Sequence, residues 1–144
     1  MRKNKSISCY IFLIFLFLSI NIKGYCETIY FLVGEKGVPV HNDSYVVLLT
    51  EPNDIAHARD LINFGPGIGR NIVVAQIEFG MDGINRDYLS AYKTLWSWHV
   101  TSFINFADIT AEILDGWPGG VLDYFTSGSL IGFWSYTISS RTWD

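Results

Sequence analysis

The sequence predicts an α+β domain: a mainly antiparallel sheet with one main helix and a second short helix packed on one face. Three observations predict it. Stretches in which apolar and polar residues alternate outnumber helical patterns. A single long segment carries apolar residues at helical spacing. The segments between are short and rich in Gly, Pro, Asn and Asp, as antiparallel connections require.

Of the 144 residues, the first 26 differ in kind from the rest. Arg2, Lys3 and Lys5 precede a nearly continuous apolar run over residues 7–22, and a polar, glycine-containing exit follows at residues 21–24. Basic start, apolar centre and small polar exit are the order of a secretory signal peptide, expected over residues 1–26. The run is broken by Ser19 and Asn21, so it is short for a spanning helix. Cleavage is expected after Cys26, or else after Gly24. Cys9 then leaves with the leader and Cys26 leaves or sits at the new terminus, so no intramolecular disulfide, cysteine zinc site or cysteine nucleophile is expected in the exported domain.

Residues 27–144 form the expected single secreted domain, with six basic and fourteen acidic side chains and a formal charge of −8. That balance argues against nucleic acid and against an anionic membrane surface, because both select basic footprints. The chain is long enough to bury a core without staples.

Residues 28–33 and 45–50 are expected strands joined by turn chemistry, hence a hairpin. The main helix starts near Pro52 with Thr50 or Glu51 as N-cap. It buries Ile55, Ala58, Leu61 and Ile62, turns His57, Arg59 and Asp60 to solvent, and stops at Gly65, Pro66 and Gly67. Residues 71–79 alternate, with Val73, Ala75, Ile77 and Phe79 inward. A polar loop over residues 80–87 leads to a short strand at 95–100. A further strand is expected at 106–114, then one or two helical turns at 117–125 behind Pro118. The last strand, 133–141, sets Trp134, Tyr136 and Ile138 against Ser135, Thr137, Ser139 and Arg141.

The chemistry-bearing residues are weighed against plainer roles. The glycine-rich G-P-G-I-G-R at residues 65–70 follows a helix and precedes a strand, the reverse of a phosphate loop, and is expected to stop the helix. Catalytic candidates are His99 with Asp108 or Glu112, which would serve a small secreted hydrolase; Ser97 adds the residue type of a nucleophile without an elbow motif. Asp108 and Glu112 would lie about 13 Å apart on one strand face, too far to share a proton, while Glu78 could approach either. No calcium-loop motif is present, and no metal or cofactor is expected. Asn42, Asp43 and Ser44 fit a glycosylation acceptor. The five tryptophans include the binding candidates Trp96, Trp98, Trp117 and Trp134, together with His99, although period-two spacing assigns several to the core.

The order of several motifs resembles a family of small domains from the N-terminal region of calmodulin-binding proteins. The residues that carry the resemblance are Pro52 with I-A-H-A-R at 55–59, G-R-N-I-V at 69–73, W-S-W-H at 96–99, F-A-D-I-T-A-E-I at 106–113, D-G-W-P at 115–118, and Trp134 with Ser135. They cover residues 28–141. The resemblance implies a cysteine before the D-G motif and another before the closing Trp, where this chain has Leu114 and Gly132 or Phe133; that points to a lost disulfide replaced by apolar packing. It implies no catalytic residues. Calmodulin binding is not carried over, since the helix holds one Arg and the domain is acidic. The expectation is a secreted, monomeric, non-enzymatic recognition module for a protein or glycan partner, acting through aromatic and acidic loop residues such as those at 80–92, or an inhibitor steered electrostatically to a basic extracellular enzyme. Its location would be periplasmic in a cell with an outer membrane.

Overall fold

The computed structural model describes residues 27–110 and 116–143, the side chains of 141–143 excepted. The elements in order are β1 (Ile29–Glu35), β2 (Ser44–Leu49), α1 (Pro52–Phe64), β3 (Ile72–Phe79), β4 (Trp98–Ala107), α2 (Val121–Tyr124), β5 (Leu130–Ile131) and β6 (Tyr136–Trp143). Short 3₁₀ turns at Pro66–Ile68 and Pro118–Gly120 follow α1 and precede α2. The α+β class, the antiparallel pairing and the two helices are as the sequence predicts. The strands divide into two three-stranded antiparallel sheets, ordered β2-β1-β6 and β4-β3-β5. One core joins them: Phe31, Tyr45 and Ile138 come from the first sheet, Ala75, Ile77 and Trp98 from the second, and Ile55, Ala58 and Leu61 from α1. Among the described residues no helix is long and apolar enough to cross a membrane.

α1 begins as its sequence dictates. Glu51 stands at the N-cap and Pro52, whose missing N–H would have been unpaired anyway, opens the helix. Gly65, at φ 81°, ends it with its N–H on the Leu61 carbonyl, and Gly69, at φ 85°, turns the chain into β3. Ile62 is exposed, so the buried stripe is narrower than expected.

β4 is the main departure. One ten-residue strand replaces the short strand expected at 95–100 and the start of the one expected at 106–114. Its register against β3 shifts twice, skipping Thr101 and Ile104. Each bulge inserts a residue and resets the alternation, so inward positions fall at Trp98, Val100, Phe103 and Phe106. The strand ends at Ala107, and residues 111–115 lie outside the described set. At its paired end β3 exposes Phe79, and Trp134 lies in the turn before β6, whose first residue donates back to Phe133. Gly132 is buried where an added Cβ would sit 2.7 Å from the Thr110 methyl, and Phe133 is fully buried between Tyr45 and Tyr136. Apolar packing thus fills the second cysteine position that the resemblance implies; Leu114, the first, is outside the described residues.

Candidate functional site

β1, β2 and β6 place Glu35, Ser44 and Tyr136 at one end of the first sheet, and three loops gather there. The hairpin loop is shaped by Glu35, whose Oε2 accepts from the backbone N–H groups of Val40, His41 and Asn42 at 2.9, 2.9 and 3.0 Å. Burial alone would raise its pKa, but those three amides, with His41's charge, hold the carboxyl below its usual range. With the loop pinned from inside, Val38 and Val40 point outward at 91% and 82% exposure. His41 lies flat on Trp117, centroids 4.6 Å apart and planes within 3°, and Tyr124 tilts onto Trp117 at 5.5 Å. Tyr124 is 70% exposed. Gly120 makes the Trp117 position possible, since an added Cβ would fall 2.8 Å from the indole.

Beneath these aromatics the polar groups face inward. Asp43 accepts from the Tyr136 hydroxyl and from the Gly119 N–H at 3.1 Å. Burial pushes the Asp43 carboxyl up despite those two donors, and nearby Asp87 adds to the rise. Burial and the adjoining carboxylate likewise push the Tyr136 phenol up. Asp87 accepts from Ser44 Oγ and Leu89 N–H, both at 3.0 Å, while Ser44 Oγ accepts from Tyr88 N–H at 2.9 Å. Buried Asn85 accepts from Val46 N–H at 2.9 Å and donates to the Trp98 carbonyl at 2.8 Å, bridging the edge strands of the two sheets. Trp96 Nε1 donates to the Ser44 carbonyl at 2.8 Å.

The binding candidates are therefore sorted by depth. Trp98 is 1% exposed, with Nε1 on the Pro118 carbonyl, and is a core residue. Trp96 is half-buried and anchors the 85–96 segment to β2. Trp117 belongs to the surface aromatic set, and Trp134 is 48% exposed before β6. The catalytic candidates are not brought together. His99, near the start of β4, contacts the Gly80 carbonyl through Nδ1 at 3.0 Å and stands opposite Glu78 in register. Asp108, past the other end of that strand, is more than about 20 Å away along the sheet and accepts from Arg70 N–H at 2.5 Å. Glu112 lies outside the described residues. His57 contacts the Arg70 carbonyl at 2.9 Å. The 65–70 segment stops α1, as expected. Asp43, Asn85, Asp87 and Tyr136 were missed as a group. A D-S pair entering an apolar strand was their one local signal; their burial depends on contacts 39 to 93 residues away in sequence.

At the far end of β2, a cleft of about 340 Å³ opens between Leu48 and Val100 to Ile104, with Glu51 and Asp54 on its rim. Among the described residues no group of three His, Cys, Asp or Glu side chains is placed to hold a metal.

Comparison with known families finds that the model of the BP-74 N-terminal domain matches residues 27–143, nearly the whole described chain. Comparisons with curated proteins and with solved structures returned no match. The chain belongs to that N-terminal domain family.

Proposed function

We propose, with that membership as premise, that the protein is an exported, non-catalytic recognition domain that binds a protein or glycan partner through the loop end of its first sheet. One observation carries the reading. At this end the carboxylates and amides are turned inward and engaged with backbone, whereas Val38, Val40, His41, Trp117 and Tyr124 are left at the surface. A catalytic site needs its acids and bases available to a substrate, and a recognition surface needs rigid aromatic and apolar anchors. The leader at residues 1–26 supports export. The separation of His99 from Asp108 weighs against the hydrolase alternative.

The test is binding of the labelled protein to a glycan array and to extracellular protein fractions, compared with a Val40→Asp, Tyr124→Ala variant. Both positions are exposed, so the circular dichroism should be unchanged while retention falls at least about tenfold. Retention equal for the two proteins, or hydrolysis of a screened substrate that His99→Ala abolishes, would overturn the reading.

A further inference from the structure

We propose that the cleft between β2 and β4 is a second binding site, which takes a short extended peptide segment presenting an arginine or lysine side chain. It lies at the opposite end of β2 from the loop surface and is independent of it.

The cleft arises from how the two sheets meet. β2 and β4 are both edge strands, each with a hydrogen-bonded neighbour on one side among the described residues. Asn85 ties them together at Val46 and Trp98. Beyond that bridge, at Leu48 and Val100, the edges separate and the first turn of α1 closes the far side. The enclosed volume suits one long side chain and a few backbone atoms of an extended segment, not a folded domain.

Its lining selects the chemistry. Leu48, Val100, Phe103 and Ile104 offer an apolar wall for the aliphatic stem of Lys or Arg, and a phenyl ring is within reach of the cationic head. Glu51 and Asp54 supply two negative charges, and no basic residue lines the space. The ion pair found among the described residues, Arg59 with Glu27, leaves both acids unmatched. The positive end of α1 offsets part of that charge, but two carboxylates outweigh a half-charge. The strand edges add backbone donors and acceptors for an extended chain. The bulges at Thr101 and Ile104 interrupt any long ladder on β4, which favours a short guest over edge-to-edge pairing with a second copy.

The test is fluorescence anisotropy of the protein with a labelled, end-blocked pentapeptide of alternating valine and arginine. Saturable binding is expected, weakening steeply between about 50 and about 500 mM salt. A Glu51→Gln, Asp54→Asn variant should bind at least about tenfold more weakly. Ile104→Arg, at an exposed position, should abolish binding by placing a cation in the cleft. Tyr124→Ala, at the loop end, should leave it unchanged. Absence of saturable binding, or binding that survives both cleft variants, would overturn the proposal.

Discussion

The two ends of β2 are finished in opposite ways, although it is an edge strand throughout. At its start the outward backbone groups are covered: Ser44 carbonyl takes the Trp96 indole N–H, and Val46 N–H takes the Asn85 side chain. At its end Leu48 faces an open cleft and the neighbouring acids are unmatched. The difference follows from burial. A backbone group shielded from water must find a partner within the protein, so covering one end commits Asn85, Asp87 and Trp96 to structure. An end left to solvent needs no such staple, and its polar residues remain available to a guest.

The sharpest way to break this comparison is Asn85→Ala. It leaves two buried backbone groups, Val46 N–H and Trp98 C=O, without partners, and should destabilise the fold by about 3 kcal/mol in urea denaturation. A loss below about 1 kcal/mol would mean that water replaces the bridge and that the covered end is not sealed. Two buried tyrosines sharpen the same point within one aromatic cluster, each 5.6 Å from the Phe133 ring. Tyr136 donates to Asp43, so Tyr136→Phe strands a buried carboxylate and should cost about 2 kcal/mol. The Tyr45 hydroxyl is buried with no partner among the described residues, so Tyr45→Phe should be neutral or stabilising by up to about 1 kcal/mol. Thermal melts of the two variants should move in different directions.

The hairpin carboxylates extend the comparison to pH. Glu35 has its folded pKa lowered from 4.5, so the stability it contributes is present above 4.5 and is lost as pH falls through the folded value. Asp43 has its folded pKa raised from 3.8, so the folded state holds that proton more tightly; its contribution favours folding at low pH and declines as pH rises from 3.8 through the folded value. Glu35→Gln should therefore flatten the acid limb of a melting curve measured between about pH 3 and pH 6. A steeper acid limb would show that the three loop amides do not hold the carboxylate.

How much of this was legible in the sequence depended on the range of the interactions. α1 could be read because its signals are local: Pro52 at the first turn, Ile55, Ala58 and Leu61 on one stripe, and glycines at the end. β1 and β2 were legible as uninterrupted apolar runs flanked by turn residues. β4 was not, because bulges at Thr101 and Ile104 break the period-two pattern that marks a strand. The aromatic part of the candidate site was partly legible through Trp117, but His41 joins it through a stack across 76 residues of chain. The acids read as solvated turn residues, yet Asp43 and Asp87 are buried once the loops close over β2. Selecting His99 and Asp108 by residue type failed as geometry because both belong to the same long strand region, at opposite ends.

The smallest expected effect belongs to the open end. Glu51 provides no side-chain cap bond to α1, and Asp54 lies in its first turn, where a negative charge interacts favourably with the helix dipole. Neutralising both, Glu51→Gln with Asp54→Asn, removes that interaction but also relieves mutual repulsion in a strongly acidic domain. The two effects oppose each other, and the net change in unfolding free energy should stay within about 0.5 kcal/mol. Urea titration at low and high salt separates them, because both are screened while a packing defect is not. A loss of about 2 kcal/mol that persists at high salt would make these acids structural, like Asn85 and Asp87, and the two ends of β2 would no longer differ in kind.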